Sequence, residues 1–301
     1  MARTEILDIM IVGAHKAGTS TLLRYLGAHP GIRAQIRHEM TYFVEPNLYR
    51  RDLAEYRDWY FGRPDQPSDR NLIQIGKLAG LMYQPQGLDR LRQHNPHVQV
   101  AAILRDPVRR AYSAFWFARL EGREPLASFE EALRGDDARF GTDYRSRRTC
   151  AYLDRSLYAQ HIRRLFERFG RDRVHVLILE EFHQNFVMAV EPLLRSFDLD
   201  PSSLPALAER ENTSRRPRSF RVARLLHSQS GATLAMKRVL PRRARDAIRH
   251  CQRRFNEVPW SPPPIDATLE HKLRTYFAGP NRDLEQLLDR ELSGLWPGPT
   301  G

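Results

Sequence analysis

The chain has 301 residues, 41% hydrophobic and 28% charged, a composition ordinary for a globular protein, and no run of about 18 apolar residues offers a transmembrane helix. Its two cysteines, Cys150 and Cys251, are too few for a disulfide framework and lack metal-ligand spacing, which predicts reduced thiols in a cytoplasmic protein and no metal site. The formal net charge of +12 is localised: residues 215–254 hold thirteen Lys or Arg and one acid, Asp246, so the remainder is neutral in sum and that window is the part that attracts an anionic partner.

The chain opens MARTEILDIMIVG, where Glu5 and Asp8 interrupt the apolar run and no small-residue cleavage site follows, so it reads as a first β-strand over residues 7–13 and not as a signal peptide. Residues 19–28 predict a helix that stops before His29-Pro30-Gly31, after which a short strand follows. Strand, glycine-containing loop and helix in that order open a mononucleotide-binding unit. Residues 63–70, with two prolines, read as a surface loop. A second buried strand, 98–104, runs into Arg105-Asp106-Pro107 and a helix over 108–120. An amphipathic helix, 154–169, precedes a third strand, 174–179, which is followed by Glu180-Glu181-Phe182. Apolar strands separated by helices predict an α/β chain with a P-loop-like three-layer fold, its central parallel sheet flanked by helices. Residues 201–217 form a proline-punctuated connector, and the rest is mostly helical with a break at 259–264. Residues 1–301 are thus expected to form one domain, an α/β core over about 5–200 and a basic helical elaboration over about 201–301.

The loop over residues 13–21 reads GAHKAGTST. Between a strand and a helix N-terminus, its backbone N–H groups and the helix dipole favour an anion. A nucleoside-triphosphate P-loop would read G-x-x-x-x-G-K-[ST], but Thr19 stands where that lysine belongs and Lys16 lies in the middle of the loop. That shift argues against an ATPase or kinase. A purely structural glycine turn is the alternative. At the second strand end, the Arg105 guanidinium suits a terminal phosphate dianion and the Ser113 hydroxyl adds a short donor. Asp106 acting as a helix N-cap beside a surface Arg105 is the plainer reading of that segment.

The run IVGAHKAGTSTLLRYLGAHPGI resembles the 5′-phosphosulfate-binding segment of sulfotransferases that use 3′-phosphoadenosine 5′-phosphosulfate (PAPS), in the branch of heparan sulfate N- and 3-O-sulfotransferases and their bacterial relatives. The segment AAILRDPVRRAYSAFWFARLEGRE resembles the 3′-phosphate-binding segment of the same family. The resemblance implies a catalytic contact from Lys16 to the bridging or sulfuryl oxygen and a 5′-phosphate held by His15, Ala17, Gly18, Thr19, Ser20 and Thr21. It places Arg105 and Ser113 on the 3′-phosphate, with Arg216 and Arg218 closing over it from a segment similar to the Asn-x-Ser…Pro-Arg-Ser stretch of bacterial members. The segment RHEMTYF, 37–43, is similar to the family's Lys-Glu-x-His-Phe-Phe, which carries Glu39 over as general base and leaves His38, where the family has lysine, either sharing the proton or resting as a strand-end histidine. Lys77 alone matches a further active-site segment, and Tyr158 aligns with a tyrosine beside the donor or acceptor, a core role being equally open to it. The resemblance is dense at three motifs and thin over 47–95.

What the resemblance implies is in-line sulfuryl transfer from PAPS, leaving adenosine 3′,5′-bisphosphate, to a hydroxyl or amine with no metal required. Rival readings are a nucleotide kinase or phosphotransferase and a non-catalytic polyanion binder acting through 215–254. The acceptor implied is a glycan, lipid or small molecule and not a nucleic acid; the basic window suits an anionic glycan and equally a peripheral contact with a membrane surface.

Overall fold

The computed structural model describes residues 7–36, 39–52, 54–62, 72–134, 151–205, 215–217, 257–259 and 261–298. The chain divides into two compact units, one of Met1–Arg110, Arg155–Ala208 and His271–Gly301, the other of Ala111–Asp154 and Glu209–Glu270. His271–Gly301 is grouped with the α/β unit, where Leu284, Leu292 and Trp296 are buried in its core.

The first unit is built on a parallel sheet of five strands: β1 (Ile9–Gly13), β2 (Ile32–Ala34), β3 (Ile73–Lys77), β4 (Gln99–Leu104) and β5 (Val174–Ile178), in the order β2-β3-β1-β4-β5. Side chains alternate across a strand. Met10 and Val12 of β1, with Val100, Ala102 and Leu104 of β4, therefore enter one core, while Ile9 and Ile11 with Ala101 and Ile103 enter the other. The first core is closed by Leu88 and Leu91 of the helix Pro85–His94, by Ile162, Leu165 and Phe169 of the helix Tyr158–Phe169, and by Leu284, Leu292 and Trp296. The second is closed by Leu22 and Leu26 of the helix Thr19–Leu26 and by Val190, Leu193 and Leu194 of the helix Phe186–Arg195. Two apolar faces explain why these strands read as continuous hydrophobic runs, each buried large aliphatic side chain contributing about 1.5–3 kcal/mol. Helix, sheet, helix is the three-layer arrangement expected.

The strand order has one consequence for function. From β1 the chain crosses to the β2 side of the sheet, and from β4 it crosses to β5, so the carboxyl ends of β1 and β4 flank the point where the direction of winding reverses. In open parallel sheets that is where a crevice opens and ligands bind.

In the second unit, Phe115, Phe129 and Tyr152 form a buried aromatic cluster with centroids 5.3–6.1 Å apart. The Tyr152 hydroxyl donates to Glu124 Oε2 at 2.8 Å, and Tyr112 donates to the Pro263 carbonyl at 2.9 Å. A two-stranded antiparallel ribbon pairs β6 (Arg215–Pro217), at the end of the expected connector, with β7 (Glu257–Pro259), at the edge of the expected break in a mostly helical stretch.

Candidate active site

The loop after β1 is shaped by backbone geometry. Ala14 N–H donates to the Ile103 carbonyl at 2.7 Å, which hooks the loop onto β4, and Ala17 N–H returns to the Ala14 carbonyl at 3.1 Å. Lys16 and Gly18 both have positive φ, 70° and 92°. For a lysine this backbone costs about 1–2 kcal/mol and persists only where the surroundings impose it. Gly18 is the N-cap of the helix Thr19–Leu26, and neither a side-chain cap nor an acid in the first turn occupies that terminus. The first-turn N–H groups and the positive end of the helix dipole therefore face the loop, an arrangement suited to an anion. Ala17 and Thr19 are buried, His15, Lys16 and Thr21 half-buried, and Ser20 exposed.

Glu39 is held beside this loop from the next strands. The Gln35 side chain continues the pairing of β2 with β3, accepting from Lys77 N–H at 2.6 Å and donating to the Lys77 carbonyl at 3.3 Å; Met40 N–H donates to that same carbonyl at 2.7 Å. Gln35 and Met40, on either side of Glu39 in sequence, are thus tied to the end of β3. Its carboxylate accepts from Lys77 Nζ at 2.7 Å through Oε1 and from Ala79 N–H at 2.8 Å through Oε2. Lys77 is buried, and its ammonium also donates to Ser20 Oγ at 3.2 Å, so one cation joins the expected base to the first turn of the loop's helix. Both carboxylate oxygens are oriented while a third of the Glu39 side chain stays accessible.

At the end of β4, Arg105 donates a long, 3.4 Å bond from its guanidinium to the Lys16 carbonyl, so the two strand ends meet across the crevice. Burial pushes the Arg105 guanidinium below its ordinary value, against which the Glu180 carboxylate pulls it back up; an arginine, which titrates far above neutral pH, keeps its charge. Asp106 is the helix N-cap anticipated as the plainer reading, its Oδ1 accepting from Val108 and Arg109 N–H at 2.8 and 3.0 Å. Capping and an arginine aimed into the crevice coexist. Tyr158 is buried and donates to the Arg105 carbonyl at 2.8 Å, with burial raising its phenol far above the ordinary value. It stands behind Arg105 in the core, not on an accessible surface.

The structure therefore brings Lys16, Ser20, Glu39, Lys77 and Arg105 to the carboxyl edge of one sheet. Ser113 lies half-buried on the helix Pro107–Leu120, within the second unit. His38 and Arg218 lie outside the described residues, as does nearly all of the basic 215–254 window, and Arg216 is described only through the pairing of β6. Sequence reasoning missed Gln35, Arg274 and Trp296 and did not give Glu180 a role; their links to the site run over 42 to 168 positions, where no local pattern signals them. Among the described residues no cluster of side chains suits a metal ion, and no helix is long and apolar enough to cross a membrane.

No family model matches the sequence. Among curated proteins the chain is 22% identical over 211 residues to the bifunctional heparan sulfate N-deacetylase/N-sulfotransferase 1 of Caenorhabditis briggsae, covering 66% of this chain and 23% of that protein. It is 27% identical over 179 residues to the human heparan sulfate glucosamine 3-O-sulfotransferase 5, covering 58% and 48%. The chain thus spans from about a quarter to half the length of these curated relatives. A solved sulfotransferase from Alicyclobacillus acidocaldarius has the same fold, with a TM-score of 0.64, 24% identity and coverage of 98% of this chain and 99% of that one. The relatives are of the branch that the motifs resemble.

Proposed function

We propose that this relative of the heparan sulfate sulfotransferases is itself a PAPS-dependent sulfotransferase, with its donor in the crevice between β1 and β4 and its acceptor beside Glu39. The observation that carries the reading is the single constellation at the sheet's carboxyl edge: an uncapped helix N-terminus with Lys16 in its loop, and a carboxylate doubly held at the same helix through Lys77. PAPS supplies an activated sulfuryl group on its 5′-phosphate. The first-turn N–H groups of Thr19–Leu26 hold that phosphate, and Lys16 offsets the negative charge that grows on the bridging oxygen as its bond to sulfur breaks. Arg105 takes the 3′-phosphate, while Ser113, Arg216 and Arg218 remain expectations of the motif. Glu39, fixed by Lys77 and Ala79 N–H, accepts the proton from the acceptor hydroxyl or amine as that atom bonds to sulfur. The protein's part is placement and electrostatics, as in phosphoryl transfer.

The relatives are named for heparan sulfate, a polyanionic glycan, and the +12 window over 215–254 matches such an acceptor in charge. An anionic glycan is therefore the first acceptor to screen with labelled PAPS, with lipid and small-molecule arms beside it. Two isolated cysteines keep a cytoplasmic location within the proposal.

The donor assignment is tested by thermal unfolding with nucleotides. Adenosine 3′,5′-bisphosphate at a hundredfold excess over its Kd should stabilise the protein by about 2.7 kcal/mol, several degrees in Tm. Lys16→Ala should abolish most of that shift. A shift with ATP and magnesium but none with the bisphosphate would establish the kinase reading instead.

A further inference from the structure

We infer that the last segment of the chain, through Arg274 and Trp296, sets the aim of Arg105 and with it the selectivity for a nucleotide bearing a 3′-phosphate; this rests on the donor site proposed above. The peptide joining Arg105 to Asp106 is gripped on both sides. Its carbonyl, that of Arg105, accepts from the Tyr158 hydroxyl at 2.8 Å, and its N–H, that of Asp106, donates to Glu180 Oε1 at 3.1 Å. With both groups bonded the peptide plane has no freedom to turn, and the direction in which the Arg105 side chain leaves the backbone is set by that plane.

Each gripping residue is in turn held from the C-terminal segment. Trp296 Nε1–H donates to the second oxygen of Glu180 at 3.0 Å, and its ring lies 5.9 Å from the Tyr158 ring, so a single buried indole supports both hands of the grip. Arg274 sits with its guanidinium 3.3 Å from Asp106 Oδ2 and donates to the Pro297 carbonyl at 2.7 Å, joining the turn to the chain's final residues. Asp106 and Arg274 are both buried, and Asp106 Oδ1 is already engaged as the helix cap. A capping carboxylate needs only one oxygen for its helix. The second oxygen, paired with a buried arginine 168 positions away, belongs to a device that orients the turn. Arg105 is 3.4 Å from the Lys16 carbonyl, so a tilt of this turn would change the separation of the two phosphate-binding ends.

Glu180, Trp296 and Arg274 are positioning residues in this account, since they act through the backbone and cap of the turn at Asp106. A merely structural role would cost affinity for every adenine nucleotide alike. An aiming role costs affinity only for those with a 3′-phosphate.

The experiment uses the full chain and calorimetric titration with adenosine 3′,5′-bisphosphate and with adenosine 5′-monophosphate, which lacks the 3′ group. Wild-type protein should prefer the bisphosphate. Trp296→Phe, which keeps a ring and removes the N–H, should weaken the bisphosphate about three- to tenfold, the equivalent of one hydrogen bond of ordinary net strength, and leave the monophosphate unchanged. With PAPS and a working acceptor its KM for PAPS should rise by the same factor at constant kcat. Glu180→Gln repeats the measurement should the indole prove necessary for folding. Equal losses for both nucleotides, or no loss for either, would overturn the inference while leaving the sulfotransferase reading intact. A wild-type protein that binds both nucleotides equally would remove Arg105 from the 3′-phosphate and the inference with it; one that binds neither would remove the donor site itself.

Discussion

Replacing Glu39 by glutamine separates chemistry from architecture, because the structure specifies what each oxygen does. Oε1 accepts from the Lys77 ammonium at 2.7 Å and Oε2 from Ala79 N–H at 2.8 Å. A glutamine can satisfy one of these donors with its carbonyl, but its NH2 must then face the other. Leaving a buried donor unmatched costs about 1–3 kcal/mol. Since a third of the Glu39 side chain is accessible, the lower end, about 1 kcal/mol, applies. In a protein of this size that lowers Tm by about 2–4 °C and, against a total stability of about 5–15 kcal/mol, leaves the folded fraction essentially complete. The loss of a placed general base is larger, about 10²–10⁴-fold in turnover, or roughly 2.7–5.4 kcal/mol of barrier. Unfolding therefore cannot imitate the catalytic effect. The assay is turnover of labelled PAPS at saturating donor, beside a bisphosphate titration that should stay near wild type. In the double variant Glu39→Gln/Lys77→Met the ammonium donor is gone and the glutamine carbonyl is left to accept from Ala79 N–H, so the stability loss should be smaller than the sum of the two single losses while activity stays absent. A folded Glu39→Gln protein that binds the bisphosphate and turns over within about tenfold of wild type would refute the base assignment.

Two further outcomes follow from local geometry. Gly18 has φ of 92°, and a Cβ there would stand 2.7 Å from Leu179 Cδ1, so Gly18→Ala should destabilise the protein by about 1–2 kcal/mol and weaken the bisphosphate more than it lowers Tm; a neutral melt would mean the loop does not need that backbone. His175, on β5 and bonded to Gln99, is held below the ordinary 6.5 by burial, so the folded state resists a proton that the unfolded chain accepts. Its contribution is fully present above the unfolded value and declines as pH falls from about 6.5 towards the depressed folded value, and urea midpoints for wild type and His175→Gln should converge across that window.

The strands that the sequence announced are those whose partners make them apolar on both faces. β1, β4 and β5 supply both cores and read as hydrophobic runs, to within a residue or two of their bounds. β3 did not announce itself. Its five residues, IQIGK, carry a glycine at the fourth position and a lysine at the end, which weaken the local signal for a strand. The glycine is there for packing: a Cβ on Gly76 would stand 2.8 Å from Leu7 Cδ1 and 3.1 Å from Met40 Sδ. Lys77 is a strand residue because its charge is matched by Glu39, 38 positions earlier, and its backbone by Gln35. Neither condition is visible in a window of a dozen residues.

The same distinction divides the site. Lys16 and Arg105 stood out as candidates because each follows a strand end, where local pattern and chemistry coincide, and Glu39 because its segment resembles that of a known family. The residues that hold them were not, since a support is defined by what it touches and not by its neighbours in sequence. Trp296 read as part of a terminal helical segment, yet it fills the first core beside Tyr158 and reaches Glu180 with its one polar atom. A side chain that is both core and hydrogen-bond donor joins fold stability to the set of the Arg105 turn. On the inference above, the 3′ end of the proposed donor site depends on Arg274 and Trp296 being in place, whereas the loop of Lys16 is anchored to β4 through Ala14. Graded destabilisation should therefore loosen the grip on a 3′-phosphate before it loosens the grip on a 5′-phosphate.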